Sequence, residues 1–304
     1  MTAALLASFV PATGDALDVL KIVSLVAIGL LFFLYGTRLS TRETVAGLRN
    51  WRLHTAILTT TFVVFPLLGL LTQLLETDLL TPALASGLLL LCLMPSSIQS
   101  PIVYTGIAGG NVAGAVVSAS LSNLIGVFMT PVLVALLMTA QTHVDANSMV
   151  RIVLQLFVPF VAGQVLRPAV GAWVARRDPK LRFDRGCIVL VVFVAFSEGA
   201  EADIWSSVSV WSVLTVAALC LVLLLLTFGW AWGVGRTLGF TRSDRIPLLF
   251  CGSNKSLASG LPIVSVLFAG GNVALLVLPL MIYHQFQIIT GAFITTRLAR
   301  GRPD

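Results

Sequence analysis

Residues 101–113 read PIVYTGIAGGNVA, and residues 262–274 read PIVSVLFAGGNVA. Nine of the thirteen positions agree without a gap, at an offset of 161 residues. A period of that length is too long for a solenoid and reads as a duplicated half of the chain. Both copies lie in apolar stretches that ought to break. In the first, LLLLCLMPSSIQSPIVYTG (88–106), Pro95 and Pro101 enclose Ser96, Ser97, Gln99 and Ser100. In the second, LLFCGSNKSLASGLPIV (248–264), Gly252, Ser253, Asn254, Lys255, Ser256, Ser259 and Gly260 precede Pro262. Proline removes a backbone donor and clashes with the preceding turn, and glycine weakens a helix interior. The pattern predicts interruptions near 95–101 and 252–260.

The rest of the chain says what medium these helices occupy. Of 304 residues, 57% are hydrophobic and 11% charged, with mean hydropathy +0.98. Soluble domains carry about 25% charged residues, so an ordinary soluble enzyme is excluded, as are disorder and a small disulfide scaffold. The apolar blocks run to about twenty residues, the length that crosses roughly 30 Å of hydrocarbon. They predict an all-α polytopic membrane protein with nine spans, near 16–37, 53–75, 80–108, 111–139, 148–166, 186–204, 211–235, 246–269 and 272–296. Five spans separate the two copies, so the second enters the membrane the other way up, an inverted-repeat architecture of secondary transporters. The repeats are assigned to 1–142 and 143–304. A short apolar piece, 3–10, ends before Pro11 without a basic flank or cleavage site, and reads as a truncated or re-entrant first helix.

Charge supplies the orientation. Arg38, Arg42, Arg49 and Arg52 follow the first span; Arg167, Arg176, Arg177, Lys180, Arg182 and Arg185 follow the fifth. Arg236, Arg242 and Arg245 follow the seventh, and Arg297, Arg300 and Arg302 the ninth, placing 16 of the 19 basic residues on one side. The opposite loops hold Asp15, Asp18, Glu76, Asp78, Asp145, Glu201 and Asp203. The positive-inside rule puts the N-terminus outside and the C-terminus inside the cytoplasmic membrane. The net charge of +6 therefore follows topology and points to no nucleic acid. Cys92, Cys187, Cys220 and Cys251 form no CxxC pair and read as small core residues, with no metal site implied.

Lys255 stands out, because a basic residue at mid-span costs about 2.5–3.5 kcal/mol on insertion scales. Several roles are open to it: a tethered cation in the place of a bound sodium ion, an attractor of an anionic substrate, a proton carrier, or a structural donor to the carbonyl ends of a broken helix. Glu198 pairs with Lys255, relays a proton, or is an interfacial acid. Ser118 and Ser122, at i and i+4, share a helix face and with Asn123 line a polar cavity or bond their own backbone. His284 and Gln285 contact substrate or link helices. His54 falls in the basic loop and His143 in an outer loop, neither with a catalytic partner. No nucleotide-binding loop, GxSxG or HExxH is present, so catalytic residues and cofactors are not expected and transport must draw on gradients.

At these residues the chain resembles the bile acid:sodium symporter superfamily, in its symporter-like branch. The matching stretches are LLFFLYGTRLS (30–40), MPSSIQSPIVYTGIAGGNVAGAVVSASLSNLIGVFMTP (94–131), FSEG (196–199), CGSNKSLASGLP (251–262) and YHQFQ (283–287). The resemblance implies a ten-helix inverted-repeat fold with core and panel domains, and two broken helices crossing at mid-membrane. It also exposes a departure. Sodium-coupled members carry Glu-x-Gly-x-Gln-Asn at the second crossover, and here no Asp or Glu occurs between Asp244 and Asp304. That Glu falls on Phe250 or Cys251, and the Gln on Asn254 or Lys255. The Ser-Asn pair of the first crossover falls near Ser100 and Pro101, and the hydroxyl ligands that follow fall on Ala115 and Ala119. The expectation is a secondary transporter of a small organic anion, working in the lipid bilayer by alternating access. Its coupling ion is a proton or sodium, without the usual sodium sites. The alternative is a regulatory or scaffold protein that keeps the fold without transport. Neither substrate identity nor oligomeric state is written in the sequence.

Overall fold

A computed structural model describes residues 2–38, 50–75, 80–138, 146–177, 182–203, 208–268 and 273–300. The second GGN motif, at 270–272, lies outside them, as do Glu76, Asp78, His143, Asp145, Lys180 and most of the basic loop before Asn50. The described residues are helical: α1 (Thr2–Phe9), α2 (Gly14–Arg38), α3 (Trp51–Gln73), α4 (Pro82–Leu93), α5 (Gln99–Ile107), α6 (Val112–Met138), α7 (Ala146–Arg177), α8 (Arg182–Glu201), α9 (Val210–Thr237), α10 (Arg242–Ser253), α11 (Leu257–Leu267) and α12 (Val273–Arg300). Among the described residues, six stretches are long and apolar enough to cross a membrane: Gly14–Thr37, α3, α6, Leu154–Gly171 within α7, α9 and α12. Helices α4 and α11 are apolar but shorter.

Both expected interruptions are present, and both are narrower than the sequence suggested. Residues 94–98 separate α4 from α5, and 254–256 separate α10 from α11. Gln99, Ser100 and Pro101 form the first turn of α5, where an imide nitrogen forfeits no intrahelical bond. Gly252 and Ser253 remain in α10, while Ser259, Gly260 and Pro262 belong to α11. One correction concerns His54. It lies in the first turn of α3, buried, and not in a loop.

The chain forms two compact units. The first comprises Met1–Leu39, Pro131–Val210 and Ala258–Leu278. Within it α2 and α7 approach until no side chain fits between them. A Cβ on Gly36 would strike the Phe160 carbonyl oxygen, and one on Gly163 the Phe33 carbonyl oxygen. The Ala12 amide donates to Ser197 Oγ (3.1 Å), tying the chain ahead of α2 to α8.

The second unit comprises Ser40–Thr130, Trp211–Leu257 and Pro279–Asp304. Here α4 packs on α3, and α10 packs on α5 and α3. The first GGN motif holds a corner of this unit together. Asn111 Nδ2 donates to Asp244 Oδ1 (2.8 Å), the Asn111 amide to the Ser243 carbonyl (2.8 Å), and Asn111 Oδ1 accepts from the Gly114 amide (2.8 Å). One side chain thus caps the start of α6 and anchors the start of α10, whose own cap is Thr241 accepting from Asp244 N (3.3 Å).

Candidate functional site

The two interruptions meet inside the second unit. Ser96 and Lys255 form an isolated antiparallel bridge. The Ser256 amide donates to the Pro95 carbonyl (2.9 Å), and the Ser97 amide to the Asn254 carbonyl (3.2 Å). Each broken helix thus satisfies part of the other's backbone.

The end of α4 leaves carbonyls without a partner in the helical ladder, and backbone amides and side chains around the junction bond several of them. Met94 N serves Leu91 (3.3 Å), Thr130 Oγ1 serves Leu93 (2.9 Å), and Asn123 Nδ2 serves Ser96 (2.7 Å). Those on Cys92 and Met94 accept from Lys255 Nζ at 3.0 and 2.8 Å. A third acceptor is the Thr61 carbonyl on α3, 3.1 Å from the same nitrogen. Its availability has a local cause. Residues Thr60–Val64 form a π-helical turn, and the Phe65 amide bonds the Thr60 carbonyl. The next residue, Pro66, has no amide hydrogen. Thr61 therefore keeps a free carbonyl in the middle of a helix.

An ammonium has three hydrogens to donate, and Lys255 places all three. The face of Phe65 lies 3.9 Å from Nζ, within cation–π range. Lys255 is fully buried, and among the described residues its ammonium has no carboxylate partner. The negative charge it meets is the carbonyl end of a helix.

Two polar side chains clamp the backbone at the bridge. Ser122 Oγ accepts from the Ser96 amide (2.9 Å), while Asn123 holds the Ser96 carbonyl. On the other strand Gln287 does both jobs: Oε1 accepts from the Lys255 amide (2.7 Å) and Nε2 donates to the Lys255 carbonyl (2.9 Å). Further bonds complete the junction. Ser96 Oγ donates to the Cys251 carbonyl (2.6 Å), Tyr283 Oη to the Ser253 carbonyl (2.7 Å), and Asn254 Nδ2 to Ser100 Oγ (3.3 Å). Among the described residues, buried Ser253 Oγ and Asn254 Oδ1 have no hydrogen-bond partner.

The structure thus brings together Ser96, Ser100, Ser122, Asn123, Asn254, Lys255 and Ser256. Ser97 and Ser100 are half-buried and Gln99 exposed at the start of α5. Ser118 is elsewhere engaged, its Oγ 2.7 Å from Nδ1 of His54. Glu198 belongs to the other unit and forms an ion pair with Lys21 (3.2 Å). Gln287, Tyr283, Thr61 and Phe65 were missing from the sequence reading of the site. The signal for the first two was a face: 283, 284 and 287 share one side of α12, whereas Gln285 points elsewhere.

The profile of the SBF-like CPA transporter family matches residues 1–300. This chain belongs to that family. A protein of Pseudomonas aeruginosa bearing no functional name is 46% identical over 303 residues, covering 99% of this chain and 91% of the relative. YfeH of Escherichia coli, named as a candidate symporter, is 42% identical over 302 residues, with 99% and 91% covered. Sodium/bile acid cotransporter 7 of Rattus norvegicus is 29% identical over 281 residues, with 90% and 82% covered. As a member of the SBF-like CPA transporter family, with six apolar helices of spanning length among its described residues, the protein is an integral membrane transporter and not an enzyme.

Proposed function

We propose that this transporter is a secondary carrier of a small organic anion that works by alternating access without sodium coupling. The observation that carries the reading is the ammonium of Lys255, placed by three carbonyls and a ring face at the meeting point of two interrupted helices. Interrupted spans at matching places in two halves are where transporters of this kind bind their solutes. Here the built-in cation occupies a position that would suit a mobile one. A sodium ion about 4 Å from it would be repelled by about 4 kcal/mol at an effective dielectric of 20. No carboxylate follows Asp244 before Asp304 to offset that.

The same positive charge favours an anion. Ser97, just ahead of α5, and Gln99 and Ser100, in its first turn, offer hydroxyl and amide donors that are half-buried or exposed. Ser96, Ser118, Ser122, Asn123, Ser253, Asn254, Ser256, His284 and Gln285 complete the proposed polar lining and its support. Glu198, paired with Lys21, is the acid at the outer end. The repeats are 1–142 and 143–304, inverted, with nine spans in the cytoplasmic membrane, the N-terminus outside and the C-terminus inside. The rat relative is named for sodium and bile acid; the missing carboxylate separates the proposed coupling from that name.

A thermal-shift screen of organic anions on purified protein, with and without sodium, tests the reading. Stabilisation by at least one anion class in sodium-free buffer is expected. Stabilisation only when sodium is present would refute it.

A further inference from the structure

Arginines gather where the start of α3, the end of α9, the start of α10 and the end of α12 meet in the second unit. Two of them are engaged with backbone. Arg52 donates to the Leu238 carbonyl (2.9 Å) and Arg242 to the Leu298 carbonyl (2.6 Å). Arg236 and Arg245 behave differently. Both bring their guanidinium groups to one indole, Trp232, at 5.7 and 5.4 Å from the ring centroid. Neither guanidinium has a hydrogen-bond partner among the described residues, and Arg245 Nε is buried in that state. Nor is either neutralised, because the ion pairs among the described residues both belong to Lys21. Asp244, the neighbour of Arg245, is taken by Asn111.

Arg245 reaches the ring across Gly235, where a Cβ would come within 2.8 Å of Arg245 Cγ. The position is unfavourable for a lone cation. Two like charges over one ring repel each other, and Arg245 stands in the first turn of α10, the positive end of that helix's dipole. An anion between the two guanidinium groups removes both penalties and supplies acceptors to their unused donors.

The cations continue into an apolar stripe. Leu225, Gly229, Trp232 and Arg236 share one face of α9, a helix of spanning length. Leu225 and its neighbour Leu226 are each about half exposed, and nothing lies within 4 Å of a Cβ built on Gly229. We propose that Trp232, Arg236 and Arg245 bind the headgroup phosphate of an anionic phospholipid, with an acyl chain lying along Gly229 and Leu225. Tryptophan and arginine at the end of a spanning helix stand at headgroup depth, and basic pockets between such helices hold lipid headgroups. A soluble phosphate would use the two arginines and leave the stripe uncovered.

The full chain, purified in detergent, is offered phosphatidylglycerol and phosphatidylcholine in equal amounts, and the retained lipid is counted by native mass spectrometry. The wild type should keep one phosphatidylglycerol with a preference of about tenfold or more, the worth of two arginines near anionic lipid. Arg236→Gln should lower that preference about fivefold, and its combination with Arg245→Gln should abolish it. Arg297→Gln removes the same charge from the end of α12 and should leave the preference nearly unchanged. No preference in the wild type, or an equal loss in Arg297→Gln and Arg236→Gln, would overturn the proposal. Gly229→Phe fills the space for the chain and should also reduce retention. Unchanged retention in that variant, with inorganic phosphate displacing the lipid, would assign the arginines to a soluble anion and refute the lipid site. If the double variant does not fold, Arg236→Gln against Arg297→Gln decides, since both positions are exposed.

Discussion

Placing an ammonium at mid-span costs about 2.5–3.5 kcal/mol on insertion scales. Hydrogen bonds to a charged group are worth about 1.5–3 kcal/mol each, and Lys255 makes three, with a ring face besides. The balance favours the cation where it lies. Lys255→Met should remove that gain and leave three buried carbonyls without a donor, a loss of at least about 2 kcal/mol. The expected results are a lower melting temperature and no transport, and a variant melting with the wild type would contradict them. Ser122→Ala removes one bond, to the Ser96 amide, and should cost about 1 kcal/mol in the same assay. At this scale the sequence was only partly legible. Lys255 declared itself as a charge among apolar residues, and so did the serines around it. Its acceptors did not, because a backbone carbonyl has no residue-type signature. Gln287 was passed over for its neighbour Gln285, since in an apolar span two glutamines differ only in the face they occupy.

The interrupted helices were legible because proline and glycine act locally, whereas the π-helical turn of α3 was not. It follows from Pro66 acting through Phe65 on a carbonyl five residues upstream, and its purpose is visible only with Lys255 in place. Pro66→Ala would return an amide hydrogen to that turn and let α3 close on its own carbonyls. The expected outcome is a protein as stable as the wild type or more so, with reduced transport; unchanged transport would remove Pro66 from the account. A second element-scale test lies where α6 crosses the first interruption. A Cβ on Gly126 would come within 2.6 Å of Pro95 Cβ. Gly126→Val should therefore displace residues 94–98 and destabilise the protein by about 1–3 kcal/mol, as overpacking does, read as a shift in thermal unfolding.

For the whole molecule, hydropathy and charge gave the polytopic all-helical class, because burial in lipid requires long apolar helices and little else. The resemblance implied two domains, but which segments make up each compact unit was not legible, since each is assembled from segments far apart in sequence and depends on close approaches such as Gly36 with Gly163. Orientation rests on the basic loops. With the four native cysteines replaced, a cysteine at Ala175 should resist an impermeant thiol reagent applied from outside and react once the membrane is opened. Labelling from outside would reverse the topology.

Coupling is the claim most directly open to measurement. An organic anion that stabilises the purified protein, supplied in labelled form, can be followed by counterflow into proteoliposomes in potassium buffer and in sodium buffer. Equal exchange in the two buffers is expected, together with loss of exchange in Lys255→Met. Exchange that rises steeply with sodium in the wild type, and persists in Lys255→Met, would contradict a built-in cation at the crossover.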